Sequence, residues 1–144
     1  MKAWKIGVAG LVLMVFRVIS GKLFSGGVFS WVYQLEPVNV WKRTAAAPSI
    51  KFYVAALVLS IAFAWVFALL QKGIPGGNKI VKGLVFGLCI WTVGMLPVMV
   101  MLAKILTVAK LVVIYWTVKG LVMIPVSGAI VAVICGDTEP KVKV

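Results

Sequence analysis

The sequence contains no histidine and only three acidic residues, Glu36, Asp137 and Glu139. Without histidine, imidazole-ligated metals, bis-histidine haem and histidine-based acid–base catalysis are excluded. None of the three carboxylates lies within a long apolar segment, so the embedded acid that proton-coupled carriers use is missing as well. No nucleophile–base pair can be assembled from what remains. We therefore expect a protein that is not an enzyme and that has no cofactor or metal.

Cysteine is scarce, and Cys89 and Cys135 are isolated from each other in the sequence. There is no CxxC motif, which argues against a membrane disulfide oxidase. Buried cysteine usually behaves as a small apolar side chain, and we expect that role for both residues.

Apolar residues, in contrast, make up 63% of the 144 residues, whereas about half is usual in soluble proteins. A helix needs roughly 20 mostly apolar residues to cross the hydrocarbon core of a bilayer. We predict an all-α, up-down-up-down bundle of four transmembrane helices that forms a single domain over residues 1–144. An interfacial loop is expected over about 26–50, in which 28–35 either continues the first span or lies along the interface. The four segments that qualify as spans are about 6–25, 52–70, 83–103 and 111–135.

The net charge of +12 would suggest nucleic acid as the partner of a soluble protein. Here the cations flank the apolar segments, where each attracts anionic headgroups by about 1 kcal/mol. We therefore predict membrane lipid as a partner and no nucleic acid.

Seven cations on the side of the termini against six on the other favour cytoplasmic termini in a bacterial inner membrane, although so close a count also fits dual insertion. The two sets are Lys2, Lys5, Lys72, Lys79, Lys82, Lys141 and Lys143, and Lys22, Lys42, Arg43, Lys51, Lys104 and Lys110.

Glycines recur on one face of the first and third predicted spans. Small residues mark the faces on which membrane helices approach closely. Packing within the bundle is the favoured role, with a homodimer contact as the alternative. The glycines predicted in helix contacts are Gly7, Gly10 and Gly21 in the first span and Gly83, Gly87 and Gly94 in the third.

Two cations, Arg17 and Lys119, lie well inside predicted spans, away from their ends. Each lies eight residues, or about 12 Å, from the span end on the same side of the membrane, so similar depths are expected. A charge at the bilayer centre costs roughly 3 kcal/mol or more. Lys119 can extend to the interface or lie over the rings of Tyr115 and Trp116.

Arg17 shares the glycine face of its span and so requires an acceptor inside the protein. Glu36, backbone carbonyls, water or an anionic ligand could serve. An apolar crevice topped by cations would suit the headgroup of an acidic lipid or amphiphile. The candidate headgroup site comprises Arg17, Lys22, Lys104, Lys110 and Lys119, with Glu36 as a possible ion-pair partner.

The region from 83 to 135 combines a glycine-rich span bearing Trp91 and Pro97 with a tryptophan-bearing span that ends in small residues. Together with the motif LEPVNVW after the first span, it resembles small four-span bacterial membrane proteins of unknown function. The resemblance implies a fold and topology, and it supplies no catalytic residues.

We predict a small non-enzymatic membrane protein, structural or accessory in role or binding acidic lipid. It would pack against itself as a homo-oligomer or against a membrane subunit. The alternative is a carrier or channel for an anion or amphiphile that uses Arg17 and Lys119. Such a pathway needs polar lining residues, of which the second and third spans offer little beyond Ser60 and Thr92.

Overall fold

The computed structural model describes residues 3–36, 49–105 and 109–136. Regular structure in these ranges is entirely helical, without a strand. Four helical stretches are long and apolar enough to cross a membrane, and we number them spans one to four. The all-α class and the four long apolar helices predicted from the sequence are therefore confirmed. The spans are Ala3–Val28, Ile50–Leu70, Lys79–Ile105 and Lys110–Cys135.

Two of the four spans change helix type along their length. Span one continues from an α-helix into a π-helix, and span three contains a π-helical turn just before Pro97. Because proline lacks an N–H and its ring crowds the carbonyl four residues earlier, a π-helical turn accommodates it within a continuing helix. The helices in chain order are α1 (Ala3–Gly21), a π-helix (Lys22–Val28), a 3₁₀ helix (Ser30–Gln34), α2 (Ile50–Leu70), α3 (Lys79–Ile90), a π-helical turn (Trp91–Met95), α4 (Leu96–Ile105) and α5 (Lys110–Cys135).

The helices extend beyond the predicted spans, most clearly at the start of span three. There Asn78 caps α3, and its side-chain oxygen accepts a hydrogen bond of 2.8 Å from the Val81 N–H. Lysine is a good helix former, so α3 begins at Lys79, four residues before the apolar stretch. Residues 26–28 belong to the π-helical end of span one and Ser30–Gln34 forms a 3₁₀ helix, so most of 26–34 is helical. The sequence leaves open whether 28–35 continues the first span or lies along the interface. The rest of the predicted loop, 37–48, lies outside the described residues.

Glycine permits the closest helix contact, which joins α3 to α5. A Cβ placed on Gly83 would meet the backbone of Gly128, and one on Gly87 would meet the backbone of Pro125. Further along span three, Met95 lies against Gly120 of α5. Residue numbers rise along span three as they fall along α5, so the two helices run in opposite directions.

The core lies at the end of the bundle where span one begins and α5 ends. Phe86 of α3 packs edge-on against Phe63 and Phe67 of α2, with ring centroids 5.1 and 5.3 Å apart. Cys135 is fully buried, and its thiol donates a hydrogen bond to the Lys5 carbonyl at 3.4 Å. Cys89, in contrast, is exposed. The buried cluster consists of Ala9, Leu13, Ala64, Phe67, Phe86, Val131, Ala132 and Cys135.

The predicted glycine contacts hold only in part. Gly10 lies against Ile61 of α2, but a Cβ on Gly7, Gly21 or Gly94 would meet nothing within 4 Å. Crossing helices approach closely only near one point, and Gly7 and Gly21 lie away from the contact with Ile61. Gly94 falls in the π-helical turn, where the wider turn changes the angular position that regular α-helical periodicity predicts.

Adding a methyl group at the α3–α5 contact should destabilise the bundle. We expect Gly87→Ala to lower the free energy of unfolding by about 1–3 kcal/mol, since backbone atoms of α5 would have to move. The measurement is thermal unfolding in mild detergent, followed by size-exclusion chromatography.

Gly94→Ala is the matched control, because it adds the same methyl group in open space on the same span. It should unfold at the wild-type temperature or above. Equal losses of stability in the two variants would contradict the assigned contact.

Candidate functional site

The π-helical end of span one, Lys22–Val28, and the 3₁₀ helix that follows it, Ser30–Gln34, lie against the first half of α5. We call residues 22–34 the return segment; its Val32 is buried, with 1% of its surface exposed. An open cleft of about 360 Å³ lies between the return segment and α5. Its lining residues are Phe24, Phe29, Trp31 and Val32 from the return segment, and Leu111, Ile114, Tyr115, Val118, Lys119, Val122 and Met123 from α5.

The lining residues of α5 share one face of the helix. Leu111, Ile114, Val118 and Val122 recur at spacings of three and four residues, which aligns side chains along an α-helix. Lys119 is the one charged residue among the described residues that line the cleft. As far as the structure describes it, the cleft is an apolar groove with a single cation.

Aromatic rings attach the return segment to α5. Phe29 lies 5.0 Å from Tyr115, centroid to centroid, and Phe24 stacks on Phe29 at 6.3 Å. Tyr33 meets Tyr115 edge-on at 6.3 Å. Aromatic pairs in this distance range contribute about 0.5–1.5 kcal/mol beyond the area that they bury.

A chain of hydrogen bonds runs beside these rings. The Trp116 indole N–H donates to the Tyr33 hydroxyl at 2.9 Å, and that hydroxyl donates to the Ser25 Oγ at 3.4 Å. The Lys119 ammonium donates to the same Ser25 oxygen at 2.7 Å and lies 5.7 Å from the Tyr115 ring centroid. These contacts connect the return segment with the charged residue of the cleft.

The positive charge of Lys119 has no carboxylate partner among the described residues. Its side chain is half-buried, and its contacts are the Ser25 hydroxyl and the Tyr115 ring. Neither of these groups carries a negative charge. A half-buried ammonium is partly shielded from water, so it attracts an anion more strongly than a lysine surrounded by water would.

Arg17 occupies a different part of the bundle. Its guanidinium carbon lies 5.0 Å above the centroid of the Phe63 ring of α2, a cation–π contact. Phe63 belongs to the residues packed on the core, and Arg17 does not line the cleft. Among the described residues, no carboxylate forms an ion pair with Arg17, so the suggested pairing with Glu36 is not observed.

The remaining predicted headgroup residues lie outside the cleft. Lys22, Lys104 and Lys110 are exposed and do not line it. Glu36 is exposed just after the return segment. Of the five cations proposed from the sequence, the structure therefore brings Lys119 alone into the cleft.

Sequence reasoning missed the return segment as a wall of the site. Phe24, Phe29, Trp31 and Tyr33 are visible in the sequence as a run of aromatic residues around the end of span one. The sequence predicts that 28–35 either continues the first span or lies along the interface, and neither alternative places these rings on α5. Only the tertiary packing of the segment against α5 makes Ser25 and Tyr33 neighbours of Lys119.

Comparisons of the chain with protein-family models, with curated proteins and with solved structures found no match. A function must therefore be inferred from the residues and geometry of the site.

The two tyrosines of this site provide a matched test of the hydrogen-bond chain. The Tyr33 hydroxyl links Trp116 to Ser25, whereas the buried Tyr115 hydroxyl has no hydrogen-bond partner among the described residues. We expect Tyr33→Phe to lower the free energy of unfolding by about 1–3 kcal/mol, since it also leaves a polar group unpaired. Tyr115→Phe should be neutral or stabilising, because it removes a hydroxyl that makes no bond.

Both variants can be compared by thermal unfolding in the same detergent. The reverse order of stability would show that the hydrogen-bond chain does not hold the return segment on α5.

Proposed function

We propose that this chain is a non-enzymatic integral membrane protein of four spans that binds an anionic amphiphile, such as an acidic membrane lipid. The hydrocarbon tail lies in the cleft between the return segment and α5, and the headgroup lies at Lys119. The observation that carries the proposal is a cation without a counter-charge at an otherwise apolar cleft.

The position of Lys119 along α5 supports contact with a headgroup. Lys119 follows Lys110, the first residue of α5, by nine residues, or about 14 Å of helix. Helical side chains lean toward the N-terminus of their helix, which agrees with the contact between the ammonium and Tyr115, one turn earlier. The 26 residues of α5 measure about 39 Å, so the helix extends beyond a hydrocarbon core of about 30 Å. The ammonium then lies near the boundary where lipid headgroups begin.

Selectivity between anionic and neutral lipids has to come from the charge of the headgroup, because the tail contributes little to it. A lipid tail gains little by moving from the bilayer to an apolar cleft, because the two environments are equally apolar. An ammonium in low dielectric, by contrast, discriminates strongly between an anionic and a neutral headgroup. The cleft holds the tail in place while Lys119 selects the headgroup.

The proposed topology is up-down-up-down, with both termini in the cytoplasm of a bacterial cell and the bundle in its inner membrane. The hydrogen bond between Cys135 and Lys5 supports an even number of spans, because it brings the two ends of the described chain to one end of the bundle.

Binding is favoured over transport. A carrier or channel that uses Arg17 and Lys119 would need a polar path between them, whereas Arg17 lies against the ring of Phe63 and outside the cleft. The separate contacts of the two cations support one binding site at Lys119 over a shared pathway.

Native mass spectrometry of the protein purified in mild detergent tests the proposal. The wild type should retain an acidic lipid. Lys119→Gln keeps a group that can bond to Ser25 but removes the charge, and it should reduce retention about tenfold or more, the usual contribution of a hydrogen bond to a charged group.

Two variants serve as controls. Lys104→Gln removes an exposed charge from the end of α4, and Arg17→Gln removes the charge beside Phe63. Both should retain lipid as the wild type does. Undiminished retention in Lys119→Gln, or an equal loss in all three variants, would refute a site at Lys119.

A further inference from the structure

We propose that Ser25 is a second ligand of the bound headgroup and that, together with Lys119, it forms an oxyanion site. The site takes an amphiphile whose single negative charge is shared by two or more oxygens, as in a carboxylate or a phosphodiester. This inference rests on the proposed function, because it concerns the same cleft.

The Lys119 ammonium has donors to spare. An ammonium carries three N–H donors and no acceptor. One of the three bonds to the Ser25 oxygen at 2.7 Å, and no further hydrogen bond of this ammonium occurs among the described residues. Two charged donors therefore remain for a ligand at the edge of the cleft.

Ser25 also has a donor to spare. A serine hydroxyl offers one donor and two acceptor positions. Its oxygen accepts from the Lys119 ammonium and from the Tyr33 hydroxyl, so both acceptor positions are used. The Ser25 proton does not bond to any described residue, and it can be donated beside the ammonium.

The hydrogen-bond chain is directed toward Ser25 from both ends. The Trp116 indole can only donate, and it donates to the Tyr33 oxygen, whose own proton goes to Ser25. Lys119 also can only donate. Because the groups at both ends of this hydrogen-bond chain can only donate, the Ser25 hydroxyl proton remains available to donate to a ligand.

These donors define the ligand class. One lysine compensates one negative charge, and no carboxylate among the described residues opposes an anion here. Three donors on two neighbouring atoms suit a group with several oxygens, which can accept from Lys119 and Ser25 together. The apolar lining beside them, including Phe24 and Phe29, accepts the tail.

Binding of defined probes to the detergent-purified protein tests the assignment of Ser25. Dodecanoate supplies a carboxylate, phosphatidylglycerol supplies a phosphodiester, and dodecanol is the uncharged control with the same chain as dodecanoate. Ser25→Ala should weaken the binding of both anions about tenfold, the usual effect of losing one hydrogen bond to a charged group. The weak binding of dodecanol should not change.

Two further variants separate hydrogen bonding from damage to the fold. Ser25→Thr keeps the hydroxyl and should restore anion binding. Ser30→Ala removes another hydroxyl of the return segment, whose one hydrogen bond within the described part of the chain is to the Gly27 carbonyl, and this variant should bind as the wild type does. If Thr does not restore the binding lost in Ser25→Ala, the hydroxyl is not the ligand.

The outcomes also separate this inference from the proposed function. Anion binding that is equal in the wild type and in Lys119→Gln overturns both. Binding that is lost in Lys119→Gln but unchanged or tighter in Ser25→Ala overturns the role of Ser25 and leaves the lipid site at Lys119. A loss for one anion alone, with rescue by Thr, supports the role of Ser25 and identifies that anion's headgroup as the ligand.

Discussion

The close contact between α3 and α5 is the constraint on which the rest of the structure depends. Without side chains at Gly83, Gly87 and Gly128, the two backbones approach so closely that a single methyl group would not fit between them. In the membrane proposed for this chain, apolar burial does not drive helix association, so such van der Waals contact would be a principal source of attraction. This contact lies on the C-terminal half of α5, whereas the return segment packs on the N-terminal half.

The candidate site lies on the N-terminal half of α5. The return segment covers it with aromatic rings and one hydrogen-bond chain, and the space left between them is the cleft. In the proposed membrane, a lysine within a span costs free energy unless its charge is compensated. The Ser25 hydroxyl and the Tyr115 ring stabilise the ammonium in part but supply no negative charge. The arrangement is therefore suited to an anion that arrives from the bilayer.

Several features of the site were within reach of the sequence. The apolar face of α5, the lysine within it and the neighbouring Tyr115 all follow from helical periodicity, and the cation–π contact was among the predicted ones. The contacts that Arg17 and Lys119 make with residues outside their own helices could not be predicted from the sequence. Arg17 shares a predicted face with three glycines, but which helix meets that face depends on how the spans are arranged. It meets Phe63 of α2, while Ser25, which periodicity alone does not connect with α5, bonds to Lys119.

Hydrophobic run length determined that this chain forms four long apolar helices, because a bilayer requires about 20 apolar residues and internally satisfied backbone groups for each crossing. Composition likewise determined which chemistry is missing, since no histidine or embedded acid is present. Tertiary structure alone decided which glycines make contacts and where the return segment lies. Both depend on where the helices cross and on the rotation within π-helical turns. The resulting arrangement brings together residues distant in sequence, such as Ser25 and Lys119, and no local sequence pattern encodes it.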